Sequence, residues 1–499
     1  MKKRFTLPTV LIAVSGLAAL MLSVGGAGAA PAISAGTFAF EAPGAAQVAH
    51  AGSFSCQAPA ALVHCYTPSD IRAAYGVDKV TQQGAGQTIV LVDSYGSPTA
   101  AQDLQTFHDD FFPSLPNPTL TQVFPDGNPQ FNNSNGKGQS GSNGAAGWSG
   151  EATLDIEWSY AIAPLAHIIL IGVPPAETEG VQGLPNLFKA IGDQINSDPA
   201  GTVFSMSFGI TEQTFGGAAA AQTAKFDAVF QNGIAKGDSF FASSGDDGTL
   251  GTLKQHKDTA TASTPTVGWP ASSPYVTAVG GTQLQDGWTW NPTSDTPFDS
   301  SGNENPAYFA STPGGLLNTV WNESWLPAAS GGGPSALYPR PAWQNGVLST
   351  QGNHRLVPDV AWNAAVNGGV LVYITAYPDY NNGAGFHIYG GTSAASPQVA
   401  ALTALANEAR KDAGKQPVGN VDPLIYANPG WFNDVLPVTQ GTAESGKLVD
   451  NRDWDYNGDG LAVTRDPVPG WPVASGYDMT TGLGTPNAPA YVAGLLAAP

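Results

Sequence analysis

From residue 66 onward, apolar runs of strand length alternate with stretches whose apolar residues recur at helical spacing. The runs at 88–93, 167–173, 202–207 and 239–243 are rich in Val, Ile, Leu, Met and Phe with few polar breaks, the pattern of strands buried on both faces. Between them, 99–111, 151–162, 187–195 and 218–230 read as helices. Alternation of this kind predicts βαβ units, hence an α/β fold built on a doubly wound, mostly parallel sheet with helices on both faces.

The remaining segments lack such periodicity. Residues 1–29 run from Met1-Lys2-Lys3-Arg4 through an apolar stretch to Ala27, Gly28 and Ala29, the pattern of a cleaved export signal, so the mature chain is expected to be secreted and extracellular. No later stretch is apolar over the roughly 20 residues that a membrane span needs. Residues 30–64 read as a short N-terminal segment, and 65–499 as one large domain. Cys56 and Cys65 are the two cysteines, and in an exported chain a close pair predicts a local disulfide. The stretches 126–147 and 282–341, rich in Gly, Asn, Ser and Pro, are expected to be long loops shaping a cleft.

Charge narrows the choice of partners. Asp plus Glu number 39 against 19 Lys plus Arg, a net charge of −20, which argues against nucleic acid or anionic membrane surfaces. Few basic residues also means little self-repulsion once the carboxylates protonate, which suits a protein that works in acid.

Two strings carry chemistry. In Gly390-Gly391-Thr392-Ser393-Ala394-Ala395-Ser396-Pro397, a serine follows two glycines at the first turn of a helix reaching about residue 411. That leaves room for close substrate approach and aims backbone N–H groups at a developing oxyanion; a plain Ser/Thr helix cap is the alternative. In Ser149-Gly150-Glu151-Ala152-Thr153-Leu154-Asp155-Ile156-Glu157-Trp158, Glu151 and Asp155 are four apart and share a helix face. Two adjacent carboxylates can share one proton in mild acid and still accept another from serine, where an imidazole would already be charged. Solvated acids on an exposed face are the alternative. Glu157 lies off that face and reads as structural.

Together with Tyr66-Thr67-Pro68-Ser69-Asp70-Ile71-Arg72, Ser205-Met206-Ser207-Phe208-Gly209, Ser244-Gly245-Asp246-Asp247-Gly248, the stretch 269–282 and Gly331-Gly332-Gly333-Pro334-Ser335, these strings resemble the sedolisin, or serine-carboxyl peptidase, family over roughly 66–486. The resemblance implies a subtilisin-like fold and a serine-type endopeptidase acting on proteins or peptides in acid, as a monomer. It implies Ser393 as nucleophile, Glu151 as base, Asp155 as its partner, and Asp246 as a protonated oxyanion donor. It puts Ser205, Ser207, Phe208 and Gly209 on the strand that a substrate joins, and Asp93 in an outer carboxylate network. Family members often carry Trp at the position of Phe208 and Glu at that of Asp93. A neutral-pH subtilisin is opposed by its missing histidine motif: Asp93 ends an early strand as such a triad requires, but no His-Gly-Thr-His string follows. A secreted, non-catalytic binding protein that kept the fold is a further alternative, opposed by the retention of all four active-site residues.

The resemblance also implies a C-terminal Ca²⁺ site through Asp434 and Asp478 with the carbonyls of Val435, Ala474 and Gly476, an oxygen-only set that suits a hard cation. Independently, Asp455, Asn457, Asp459 and Asp466 occupy positions 1, 3, 5 and 12 of an EF-hand-like spacing with Gly460 at position 6. They are read as a second Ca²⁺ site; a polar, turn-rich insertion is the alternative.

Overall fold

A computed structural model of the chain describes residues 40–41, 54–59, 61–129, 141–178, 180–255, 258–299, 304–326, 328–347, 352–375, 384–439, 446–456, 463–465 and 468–499. The export-signal stretch 1–29 lies outside the described residues. Eight strands form the main sheet: β1 (Thr88–Ser94), β2 (Thr119–Val123), β3 (His167–Val173), β4 (Val203–Met206), β5 (Ser239–Ser243), β6 (Thr277–Gln285), β7 (Leu317–Val320) and β8 (Val360–Asn363). Their order is β7-β6-β5-β4-β1-β3-β2, with β8 also on β6. All pairings are parallel except β6 with β7.

Side chains of successive strand residues point to opposite faces, and the two faces bury different helices. Ile89 and Leu91 of β1 join a core with α3 (Gly141–Ile162) and α6 (Thr392–Asp412), whereas Val90 and Val92 join a second core with α4 (Leu184–Ser197) and α5 (Ala219–Lys236). The sheet is thus doubly wound, as the alternation predicts. Strand order reverses at β1, which has β3 on one side and β4 on the other. In such sheets the crevice beyond the carboxyl ends at the reversal is where ligands bind.

Two expectations are corrected. The helix α3 begins at Gly141, so the last part of the predicted 126–147 loop is helical, and residues 130–140 lie outside the described residues. Its Gly- and Ser-rich first turns have poor propensity, but Trp148 is fully buried in the second core, and packing outweighs propensity. The 282–341 stretch is not one irregular loop either. It contains the hairpin Trp288–Trp290 with Ser311–Pro313, then β7, then the pair Asn322–Glu323 with Ala328–Ala329, and then Gly333–Pro339. Strands this short, separated by Gly, Pro and Asn, leave no window in which a period can be read.

The described residues of the N-terminal segment pack on the main domain, Phe54 and Cys56 joining its first core. Phe40–Glu41 and Cys65–Tyr66 are outer strands of a four-stranded sheet around β9 (Gly369–Ile374) and β10 (Gly385–Gly390). The expected disulfide links Cys56 to Cys65 with Cα atoms 5.3 Å apart. Just beyond it, Thr67 and Asp70 cap α1 (Pro68–Tyr75) reciprocally, and Arg72 then donates to the carbonyls of Ala161 and Ile162 at 2.8 and 2.9 Å. The Thr67-Pro68-Ser69-Asp70-Ile71-Arg72 string therefore starts one helix and ties down the C-terminal end of α3.

Candidate active site

Three carboxylates meet at the carboxyl end of β1. Asp93 stands near the end of that strand; Glu151 and Asp155 lie one turn apart on α3. Oxygens of all three come within 4.8 Å of one another, and all three side chains are buried. The buried-helix setting excludes the solvated-face alternative. Burial pushes the Asp93 carboxyl up to about 8. Asp155 is held well above the ordinary carboxylate range by burial first, then by the charges of Asp93 and Glu151, against one hydrogen bond from Ser207. That bond runs from Ser207 Oγ to Asp155 Oδ1 at 3.1 Å. Among the described residues this is the one group of three or more such side chains that could gather on a cation. Carboxyls kept protonated by burial are poor metal ligands, so proton sharing is the chemistry the arrangement favours.

Ser393 sits in the first turn of α6, directly after β10. The double glycine before it has a steric cause. A Cβ on Gly390 would lie 2.5 Å from the carbonyl oxygen of Ala364, and Gly391 has φ 105°, a region that side chains avoid. The Gly391 N–H donates to that same Ala364 carbonyl at 2.6 Å, which fixes the turn. Ser393 Oγ is buried and has no hydrogen-bond partner among the described residues.

Asp246, three residues beyond β5, is tied to the residue before the serine. Its Oδ1 accepts the Thr392 N–H at 2.7 Å and the Thr392 hydroxyl at 2.6 Å, while Oδ2 is buried without a partner. Burial pushes this carboxyl up to about 7 in spite of the two hydrogen bonds. Protonated at Oδ2, such a group is a hydrogen-bond donor beside the N-terminus of α6.

Four described histidines are engaged away from the carboxylates. His64 stacks on Trp288, His108 Nδ1 meets the Tyr160 hydroxyl at 2.6 Å, His167 meets Thr121 at 2.8 Å, and His354 meets the Ser335 carbonyl at 2.9 Å. The subtilase family, peptidase S8, matches residues 126–421, more than half of the chain. Kumamolisin of Bacillus sp. (strain MN-32) is 29% identical over 439 residues, covering 84% of this chain and 62% of that protein. Sedolisin of Pseudomonas sp. (strain 101) is 30% identical over 296 residues, covering 58% of this chain and 43% of that protein. The solved structure of Pseudomonas sedolisin, a serine-carboxyl proteinase complexed with two molecules of pseudo-iodotyrostatin, superposes with a TM-score of 0.58 at 25% identity, over 86% of this chain and 98% of that one.

This chain belongs to the subtilase family, and the relatives it resembles include kumamolisin and sedolisin. It spans 62% of the length of kumamolisin and 43% of that of sedolisin. Within this subtilase fold, the residues expected to meet a substrate divide. Ser205 lies inside β4, paired to Leu91 on one side and Phe241 on the other, with its hydroxyl 2.9 Å from that of Ser396. With both edges taken, Ser205 supports α6 and cannot pair with an added strand. Phe208 is buried in the second core, and Ser207 is engaged by Asp155. Backbone beyond Met206, where β4 ends, is what remains for strand addition. Glu157 is structural as expected: it accepts the Tyr373 N–H at 2.9 Å.

The two C-terminal aspartates meet on one loop. Asp434 Oδ2 accepts the Gly476 N–H at 2.9 Å and the Ser475 hydroxyl at 3.2 Å, and Asp478 Oδ2 accepts the Ala474 N–H at 2.9 Å. Asp478 Oδ1 also accepts the N–H groups of Thr480 and Thr481. The EF-hand-like spacing fares differently. Asn457, Asp459 and Asp466 lie outside the described residues; Trp454–Tyr456 and Val463–Arg465, the described parts of that stretch, pair as antiparallel strands with Asp455 in register with Thr464. Sequence reading also left Thr392 and Ser396 without roles, although both stood inside the nucleophile string.

Proposed function

We propose that the chain is a secreted serine-carboxyl endopeptidase that hydrolyses peptide bonds of proteins in acid. The observation that carries this reading is the buried set of Asp93, Glu151 and Asp155 within 4.8 Å of one another, in a fold whose nucleophile position holds Ser393. Ser393 Oγ attacks the scissile carbonyl carbon and its proton passes to Glu151. The carbonyl oxygen becomes an oxyanion that accepts hydrogen bonds from Asp246 Oδ2–H and the Ser393 N–H. Collapse expels the amine, which takes the proton from Glu151 and leaves an acyl ester on Ser393. Water then attacks the ester, its proton goes to Glu151, and the second collapse returns that proton to Ser393 Oγ as the acid departs. Asp155 orients Glu151 and shares its proton, with Asp93 behind the pair.

Ca²⁺ is the cation this reading assigns to the C-terminal loop. Asp434 approaches the loop 474–478 to which Asp478 belongs, and these two carboxylates with the carbonyls of Val435, Ala474 and Gly476 would give an oxygen-only set that fits a hard, flexible cation. Its part would be structural, holding the segment at Asp434 to the loop 474–478.

Cleavage of a denatured protein from pH 2 to 8 by the wild type, Ser393→Ala and Glu151→Gln, with products read by mass spectrometry, tests the proposal. Acid-restricted cleavage that both substitutions abolish is the expected result. Cleavage that survives Ser393→Ala, or a wild type that cuts nothing, would overturn it, the second favouring a binding protein.

A further inference from the structure

We propose that Thr392 is a positioning residue that fixes which oxygen of Asp246 carries the proton and so aims the oxyanion donor; this rests on the serine-carboxyl reading above. The directions of the hydrogen bonds leave one arrangement. A backbone N–H can only donate, so Asp246 Oδ1, 2.7 Å from the Thr392 N–H, is an acceptor. The Thr392 hydroxyl receives the Gly245 N–H at 3.2 Å, which leaves its own hydrogen for Asp246 Oδ1 at 2.6 Å. The relay therefore runs from Gly245 N–H to Thr392 Oγ1–H to Asp246 Oδ1. With two donors aimed at Oδ1, a proton on Asp246 has Oδ2 as its place, and Oδ2 is the buried atom that lacks a partner.

The same residue joins the two halves of the oxyanion site. Thr392 immediately precedes Ser393, whose N–H is the second donor, so the hydroxyl ties the strand end that holds Asp246 to the helix start that holds the nucleophile. Removing it frees the Asp246 carboxyl to rotate and strands the buried Gly245 N–H.

The charged neighbour of Asp246 is Asp247, and the hydrogen bonds from Thr392 oppose the effect of burial. Losing the hydroxyl therefore raises the Asp246 carboxyl further, and its proton is held to higher pH.

The test compares Thr392→Val, which keeps the shape, with Thr392→Ser, which keeps the hydroxyl, using peptide cleavage across pH 2 to 8. For Thr392→Val, kcat should fall about 10- to 100-fold with KM changed less than about 3-fold, since a misaimed donor costs somewhat less than a deleted one. The alkaline limb of its kcat profile should move to higher pH, and Thr392→Ser should restore both kcat and the limb. Affinity for a peptide aldehyde, whose hemiacetal oxygen occupies the oxyanion site, should fall in parallel in Thr392→Val alone. Equal kcat in the Val and Ser variants, or a loss confined to KM, overturns the assignment. Should Thr392→Val not fold, Thr392→Ala makes the same comparison. Wild-type cleavage that persists in Ser393→Ala marks failure of the parent reading instead.

Discussion

Ser207 donates its hydroxyl hydrogen to Asp155 Oδ1 at 3.1 Å, linking the end of β4 to the carboxylate pair on α3. The resemblance puts Ser207 on the substrate strand; its side chain is in addition hydrogen-bonded to the carboxylate pair. Because this bond opposes the rise of Asp155 caused by burial, Asp93 and Glu151, removing it lets Asp155 hold its proton to higher pH. In Ser207→Ala the alkaline limb of the kcat profile should move upward and kcat should fall about 10-fold, less than the roughly 10²- to 10⁴-fold that a general base itself contributes. A profile that superposes on that of the wild type would remove Ser207 from the network.

Asp246 should set part of the alkaline limit. Burial brings it to about 7, and above that pH it becomes a carboxylate that cannot donate. Asp246→Asn replaces it with an amide donor that does not titrate, so activity should extend to higher pH with kcat in acid reduced only modestly. Asp246→Ala should cost about 10²- to 10³-fold in kcat in acid, where the wild-type carboxyl can donate, and the gap should narrow above about pH 7. The contrast is read from kcat profiles of the three proteins on one peptide.

Stability should be greatest in acid and decline toward neutrality. A carboxyl raised in the folded state, such as Asp93 at about 8 or Asp246 at about 7, binds more protons folded than unfolded once pH exceeds the unfolded value of about 3.9. The stabilisation is complete below the unfolded pKa and is lost as pH rises through the folded one. Tm measured from pH 3 to 8 should fall across that window, and Asp93→Asn should flatten the slope. A Tm that climbs from pH 4 to 8 would contradict the burial of these groups.

Calcium removal should loosen the C-terminal loop. If Asp434 and Asp478 hold the ion, a hundredfold excess of free Ca²⁺ over Kd stabilises the fold by about 2.7 kcal/mol, and a chelator reverses it. Asp478→Ala should lower the bound stoichiometry measured by elemental analysis by one ion and make Tm insensitive to chelator. Unchanged stoichiometry would place the ion elsewhere.

Much of this molecule was legible from one dimension. The runs at 88–93, 167–173 and 239–243 became β1, β3 and β5 within a residue, because strands buried on both faces must be apolar throughout. The spacing of Glu151 and Asp155, and the glycines before Ser393, were readable because a helix turn and a crowded backbone are local demands. What lay between distant segments was not. Asp93 and Ser207 reach the α3 pair only because β1 and β4 are neighbours where the strand order reverses, and strand order is written in long-range packing. Thr392 acquires its partner from a loop 146 positions away, and Ser205 is closed off by strands on both edges. The sequence alone determined which residues could do the chemistry; tertiary structure decided which oxygen faces which, since hydrogen-bond direction and burial exist only once the sheet has brought the segments together.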